Sequence, residues 1–235
     1  MLLSYFKVFF VAVYLISVST FALIFAFIDR SFTLYLKLNR ILSSGVLKIT
    51  GVSLELTGLE DIDKNTTYVY VSNHSSQFDI AALQYSIPQK FSMFYKKELS
   101  KIPIFGWALW AGPYISIDRK SAEKARRSLE YAKLLMDKKL ISVLLFPEGT
   151  RSRTGEILPF KRGAFHLAAT SGHPIIPITI SQSKKIMPKG KFQIIKGTIK
   201  IHFDKPIDTS DVKNRKDQIE LMENVRNIMI KNQII

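Results

Sequence analysis

The pattern of hydrophobic and polar positions divides the chain into two unequal parts. From Val8 to Ile28 there are 21 consecutive residues without a charge. A helix of this length is roughly 31 Å long, which is about the hydrocarbon thickness of a bilayer. A cleaved signal peptide has a shorter apolar stretch, and no clear small-residue cleavage site follows here. The pattern favours a retained membrane anchor over a cleaved signal.

Residues 32–47 mix apolar side chains with Lys37 and Arg40, which is typical of a helix in the membrane interface. Basic residues are rare before the apolar segment and frequent after it: Lys7 precedes it, and Arg30, Lys37, Arg40 and Lys48 follow. We predict a cell-membrane protein, and if the segment crosses the bilayer, the positive-inside rule places the remaining residues on the cytoplasmic face. Residues 1–48 are therefore interpreted as an anchor helix plus an interfacial helix. Whether the anchor spans the bilayer or dips into one leaflet stays open.

From about residue 50 onward, short apolar runs of strand length alternate with helical stretches. The predicted strands are 66–73, 113–117, 141–147, 175–180 and 197–203, and the predicted helices are 121–139 and 211–230. Such alternation predicts an α/β fold with a central mixed, partly parallel sheet flanked by helices, over residues 49–235. Ligands of these folds bind at the carboxyl ends of strands, where two polar clusters occur, at 73–79 and 147–153.

Composition narrows the possible partners. The 235 residues carry 34 Lys and Arg against 19 Asp and Glu, a net charge of +15 that attracts nucleic acid, anionic lipid or phosphorylated substrates. The basic residues are spread along the chain rather than grouped in one stripe, so we expect no nucleic acid partner. The absence of cysteine excludes disulfides and a thiol nucleophile. The four histidines lack metal-ligand spacing, so neither a metal nor a cofactor is expected.

The stretch NHSSQFD, residues 73–79, places His74 and Asp79 five positions apart. On one regular helix these side chains would point about 140° apart. They meet if His74 lies in a loop and Asp79 lies in the first turns of the following helix, with Ser75 and Ser76 as caps. A carboxylate on one imidazole nitrogen leaves the other as a base. A structural histidine at a capped helix start is the alternative.

Two further clusters follow predicted strands. FPEGTRSRTGE, residues 146–156, combines Gly149 with Arg151 and Arg153, which suits phosphate binding, although a surface turn held by a Glu–Arg pair is the alternative. Asp118-Arg119 ends a second strand, where a simple salt bridge is the alternative. Residues 96–110, which contain two tryptophans, form either a core segment or a membrane-facing patch.

Together these segments resemble the 1-acylglycerol-3-phosphate acyltransferase family, within the glycerolipid acyltransferases. The family's four blocks occur in order as Asn73-His74-Ser75-Ser76-Gln77-Phe78-Asp79, Ile117-Asp118-Arg119, Phe146-Pro147-Glu148-Gly149-Thr150-Arg151-Ser152 and Ile176-Pro177-Ile178. Lys97-Glu98-Leu99 and Ile102-Pro103 also match what such enzymes carry between the first two blocks. One departure is Gly112, which lies one residue further from Asp118 than is usual in the family.

The resemblance implies an α/β domain with a membrane-associating N-terminal segment. It also implies acyl transfer from acyl-CoA or acyl carrier protein to the free hydroxyl of lysophosphatidate, which yields phosphatidate. The resemblance implies that His74 is the general base and that Asp79 is the carboxylate that orients it. It implies that Arg119 and Arg151 bind the phosphate, with Lys97 as a weaker phosphate ligand. Glu148, Gly149 and Thr150 would shape the loop. A different acceptor, such as glycerol 3-phosphate, and a membrane-bound hydrolase using the same pair on water remain alternatives.

Overall fold

The computed structural model describes residues 2–118, 121–188, 190 and 193–233. Within these residues the strands are β1 (Val52–Thr57), β2 (Val69–Ser72), β3 (Phe91–Lys96), β4 (Ile115–Ile117), β5 (Ser142–Leu145), β6 (Ile175–Ser181) and β7 (Gly197–Phe203). The α-helices are α1 (Leu2–Ile28), α2 (Thr33–Thr50), α3 (Phe78–Ser86), α4 (Phe105–Ala111), α5 (Ala122–Lys139), α6 (Gly163–Ser171), α7 (Ser183–Ile186) and α8 (Arg215–Asn232). Two short 3-10 helices cover Leu59–Asp61 and Lys97–Lys101.

The strands form one sheet in the order β1-β7-β6-β2-β5-β3-β4. All neighbouring pairs are parallel except β6 and β7, which confirms the predicted mixed, partly parallel sheet. Because β2, β5, β3 and β4 are mutually parallel, their carboxyl ends lie at one edge of the sheet. That edge therefore receives every loop in which the sequence places candidate chemistry.

The five predicted strands are all present, whereas β1 and β3 were missed by the sequence interpretation. The predicted helix over 121–139 is confirmed as α5, and the Ser121 hydroxyl caps it by accepting from the Lys124 amide. The closing helix begins at Arg215 rather than at residue 211. Asn214 caps it there, in a reciprocal capping box with Asp217.

Both faces of the sheet are covered by helices, so side chains along the central strands alternate between two cores. In β2, Tyr70 belongs to a core shared with α1, α2 and α3. Its neighbours Val69 and Val71 belong to a second core shared with α5, α6 and α8. All three side chains are fully buried, which makes β2 a rigid base for the loop that follows it.

Helices α1 and α2 form an antiparallel hairpin that lies along the α/β domain. Lys7 Nζ donates to the Thr50 carbonyl at 2.7 Å, and the Tyr14 hydroxyl donates to the Ile41 carbonyl at 2.9 Å. The start of α1 also contacts the domain, because the Ser4 hydroxyl accepts from the Ile194 amide. Residues 4–28 are long and apolar enough to cross a membrane by length and composition.

Candidate active site

His74 and Asp79 are in direct contact, as the loop-and-helix interpretation required. His74 lies in the loop after β2, and Asp79 lies in the first turn of α3. The Nδ1 atom of His74 is 2.7 Å from Oδ2 of Asp79. Asp79 is fully buried, whereas the His74 side chain is 13% exposed. With Nδ1–H donated to the carboxylate, the neutral ring carries its free lone pair on Nε2, where a base is needed.

The Asp79 carboxylate is held by the turn that connects the two residues. Its Oδ2 atom accepts from the backbone amides of Ser75 at 2.7 Å and Ser76 at 2.8 Å. The serine pair thus acts mainly through its amides, although the Ser76 hydroxyl also accepts from the Phe78 amide at 3.3 Å, at the start of α3, as a side-chain cap does. The Ser75 hydroxyl instead contacts the Ser183 hydroxyl, and the Ser76 hydroxyl donates to the Met187 carbonyl. Both serines are buried, which leaves neither hydroxyl placed as a nucleophile.

The loop after β5 completes the surroundings of the histidine. Register brings the two loops together, because Val71 at the end of β2 pairs with Leu145 at the end of β5. The Phe146 ring stacks on the His74 ring, with centroids 4.2 Å apart and an interplanar angle of 19°. The Ser152 amide donates to the His74 carbonyl at 2.7 Å. Phe146 therefore sets the plane of the imidazole, a role that the sequence analysis did not assign.

Glu148 holds the backbone of His74. Its Oε1 accepts from the His74 amide at 2.8 Å, and its Oε2 accepts from the Leu158 amide at 3.2 Å. The residue is 4% exposed. Burial raises the pKa of Glu148 to about 7, although the two backbone hydrogen bonds act in the opposite direction. Nearby Asp79 raises this pKa further, and Arg226 lowers it.

The turn at Gly149 requires a glycine. Its φ of 69° lies in the left-handed region, and its amide donates to the Phe146 carbonyl at 3.0 Å. A Cβ there would lie 3.0 Å from Lys161 Nζ, so this ammonium group lies against the turn. Thr150 is exposed and Arg151 is partly buried, at the surface of the same loop. These three residues therefore lie in a loop that contacts His74 on both sides of them, through the Phe146 ring and the Ser152 amide.

The remaining predicted phosphate ligands follow other strands at this edge. Lys97 is exposed and directly follows β3, which is two strands away from β2. At about 4.8 Å per strand, this corresponds to roughly 10 Å between the strand axes. Arg119 lies outside the described residues, beyond Ile117 at the end of β4.

Asn73 ties the site to the next strand, which the sequence analysis also missed. Its side-chain amide donates to the Ile180 carbonyl at 2.9 Å and accepts from the Ile180 amide at 2.7 Å. Asn73 is buried directly after β2, and its two hydrogen bonds connect this position to β6 next to His74.

The two tryptophans of this segment are exposed, although Ala108 between them is buried. Trp107 is 52% exposed and Trp110 is 71% exposed, both on α4, which packs against α1. Helix α1 itself exposes Tyr5, Phe6, Phe9, Phe10, Val13, Ile16, Phe21, Ile24, Phe27 and Ile28. So much exposed apolar surface is unusual for a soluble protein and is typical of membrane contact.

Comparison with known proteins gives a consistent result. The acyltransferase family model matches residues 53–181, more than half of the chain. A crystal structure of the 1-acyl-sn-glycerophosphate (LPA) acyltransferase PlsC from Thermotoga maritima has the same fold. It superposes with a TM-score of 0.84 at 24% identity, over 98% of this chain and 93% of that one.

Named relatives are 1-acyl-sn-glycerol-3-phosphate acyltransferases. That of Escherichia coli K12 is 33% identical, over 76% of this chain and 72% of its own length. The human alpha form is 32% identical, over 83% of this chain and 69% of its own length. The chain spans 44% to 66% of the length of four plant relatives that it matches. This chain therefore belongs to the acyltransferase family, among the 1-acyl-sn-glycerol-3-phosphate acyltransferases.

Proposed function

We propose that this protein transfers a fatty acyl group from a thioester donor to the free hydroxyl of 1-acylglycerol 3-phosphate, forming phosphatidate. The observation that carries the proposal is the buried Asp79 holding His74 next to the FPEGTR loop, at the carboxyl edge of the sheet. The family relationship supports the same reaction. The donor is acyl-CoA or acyl carrier protein.

In this mechanism His74 accepts the proton of the acceptor hydroxyl while the oxygen attacks the thioester carbonyl. Asp79 keeps Nδ1 protonated and stabilises the imidazolium that forms. The attack forms the ester C–O bond and a tetrahedral intermediate, whose collapse re-forms the carbonyl and breaks the C–S bond. The thiolate leaves and takes up the proton held by the imidazolium, which returns His74 to its neutral form. A thiol with a pKa of roughly 8.5, by analogy with cysteine, leaves with little acid assistance. No acyl-enzyme intermediate is required.

Arg151, and Arg119 beyond the described residues, are proposed to bind the acceptor's phosphate. Arginine forks pair bidentately with phosphate oxygens, and both arginines follow strands of the same parallel set. Lys97 is a further candidate, because it follows β3 at this edge. Gly149 and Thr150 shape the loop that presents Arg151, while Glu148 fixes that loop to the His74 backbone.

We further propose that residues 1–48 attach the α/β domain to the cytoplasmic face of the cell membrane by dipping into one leaflet. The contacts at the start of α1 support a dip. Ser4 contacts Ile194 of the domain and Lys7 contacts Thr50 at the end of α2, so the start of α1 lies on the same side as the domain. An α1 that spanned the bilayer would pull this packed domain into the hydrocarbon region. The net charge of +15 favours the cytoplasmic face, because the cytoplasmic leaflet carries the anionic lipids.

The reaction is tested in mixed micelles with purified full-length protein, labelled 1-acylglycerol 3-phosphate and a long-chain acyl-CoA. We expect phosphatidate from the wild type and a rate at least about a hundredfold lower for His74→Ala. Persistent activity in that variant would exclude His74 as the base. Repeating the assay with acyl carrier protein identifies the donor, and repeating it with glycerol 3-phosphate tests the alternative acceptor. Release of free fatty acid without any acceptor would indicate the hydrolase.

Membrane topology is tested by single-cysteine labelling, since the chain contains no cysteine of its own. Ser4→Cys lies at the start of α1, and Lys64→Cys lies in an exposed loop of the domain. A dip into one leaflet keeps both positions on the same side, so we expect an impermeant maleimide to label both variants only in inverted vesicles. Labelling of Ser4→Cys on intact cells would show that α1 spans the bilayer.

A further inference from the structure

Helix α8 contacts the active-site loop although it lies beyond residues 53–181, where the family model matches. Arg226 of α8 donates from its guanidinium to two successive backbone carbonyls, those of Ile157 at 3.1 Å and Leu158 at 3.3 Å. One helical side chain therefore holds a segment that follows the FPEGTR loop. A planar guanidinium suits this double contact, because its N–H groups project in fixed directions.

The segment held by Arg226 is the one that holds Glu148. The Leu158 amide donates to Glu148 Oε2, and the other oxygen of that carboxylate accepts from the His74 amide. Arg226 is thus connected to the His74 backbone through one peptide segment and one carboxylate. The positive charge of the guanidinium also lowers the pKa of Glu148, which burial and Asp79 raise.

A second contact shows that α8 supports this loop at more than one point. Gln233, directly after the helix, donates from its side-chain amide to the Gly155 carbonyl at 2.7 Å. Arg226 and Gln233 therefore hold the loop on both sides of Glu156. Ile157 and Phe160 also anchor this segment in the core that it shares with α8, so the polar contacts of Arg226 and Gln233 set its position together with apolar packing.

We propose that Arg226 is a positioning residue for His74, acting through the backbone at residues 157–158 and the carboxylate of Glu148. Its role in catalysis rests on the proposed acyl transfer, whereas its effect on the loop does not. Arg226 touches no reacting atom, so its loss displaces the base without removing it. A displacement of about 1 Å in a catalytic group costs up to about a hundredfold in rate.

The test uses three full-length variants. Arg226→Met removes the charge and both hydrogen bonds, and Arg226→Lys keeps the charge without the planar fork. Arg215→Met is the matched control, because Arg215 is an exposed arginine in the first turn of the same helix. Each variant is assayed for phosphatidate formation, with kcat and KM measured separately across pH.

For Arg226→Met we expect kcat to fall between about tenfold and a hundredfold, with KM for the acceptor changing less than about twofold. The acidic limb of the kcat profile should move to higher pH, since the positive charge that opposes protonation of Glu148 is lost. Arg226→Lys should recover part of kcat, and its acidic limb should lie close to the pH of the wild-type limb. Arg215→Met should match the wild type. A kcat for Arg226→Met within twofold of the control would overturn the proposal.

Amide hydrogen exchange makes the result independent of the assigned reaction. In Arg226→Met, peptides containing the His74 and Leu158 amides should exchange faster than in Arg215→Met, because both amides donate to Glu148. Faster exchange together with no phosphatidate from any variant would support the loop contact and refute the acyl transfer. Equal exchange in the two variants would refute the positioning role even if phosphatidate is formed.

Discussion

Oδ2 of Asp79 lies 2.7 Å from Nδ1 of His74 and also accepts hydrogen bonds from two backbone amides of the connecting turn. Oδ1 of the same carboxylate is buried and, among the described residues, accepts none. One oxygen therefore both fixes the turn and orients the ring. This arrangement makes the orientation of the proposed base a property of the folded chain before substrate binds.

Asp79→Asn should lower kcat by about a hundredfold or more, while the protein stays folded. The amide oxygen can still accept from the turn, but an uncharged side chain neither favours the Nδ1–H tautomer nor stabilises the imidazolium. Steady-state kinetics together with circular dichroism checks this. A variant within about fivefold of wild-type kcat would mean that Asp79 acts only on the turn.

Glu148→Gln should lower kcat by about tenfold. A glutamine offers one acceptor and one donor, so its NH₂ group opposes one of the two backbone amides that now donate to the carboxylate. The same variant should show a weaker pH dependence of kcat near pH 7, where Glu148 exchanges its proton. Glu156→Gln is the matched control, because Glu156 is an exposed acid in the same loop.

The stability of the protein should change with pH through the same carboxylate. Its pKa is about 7 in the folded protein against an ordinary value of 4.5, so its contribution to stability is complete below about pH 4.5. That contribution is lost as pH rises through about 7. Relative to Glu148→Gln, the wild type should therefore lose thermal stability between about pH 5 and about pH 8. An identical pH dependence in both proteins would contradict the raised pKa.

Phe146→Leu should lower kcat by about two- to tenfold. This range corresponds to the roughly 0.5–1.5 kcal/mol that an aromatic pair contributes. The leucine keeps an apolar contact but no longer stacks on the imidazole plane. Phe146→Tyr, which retains the ring, is the control and should stay close to the wild type. Equal rates for leucine and tyrosine variants would show that stacking has no role in orienting His74.

Replacing Trp107 and Trp110 by serine should weaken binding to anionic phospholipid vesicles by at least about tenfold, with little change in thermal stability. Both rings project from α4 into solvent next to α1. The control replaces Tyr131 and Leu134, each 49% exposed, on α5 at the other face of the sheet. Vesicle flotation measures the difference, and an equal loss in both double variants would argue against a specific membrane-facing surface.

The order of elements and the position of the candidate chemistry followed from local patterns. The strand-length apolar runs, the 21-residue uncharged segment and the polar residues at strand ends are each properties of neighbouring residues. Five strands and α5 were confirmed because burial on both faces of a sheet or one face of a helix imposes a period on the sequence. Strands β1 and β3 were missed in the sequence interpretation.

The roles inside the site depended on the tertiary structure. The resemblance implied that Glu148 shapes the phosphate loop, but the contacts of its carboxylate with the His74 and Leu158 amides are seen only in the fold. The ring of Phe146 finds His74 only because β2 and β5 are adjacent and in register. Local sequence determined which groups are present at the carboxyl edge. Which of them touch, and how Arg226 reaches them from the other end of the chain, was decided by packing between segments whose contacts no local pattern encodes.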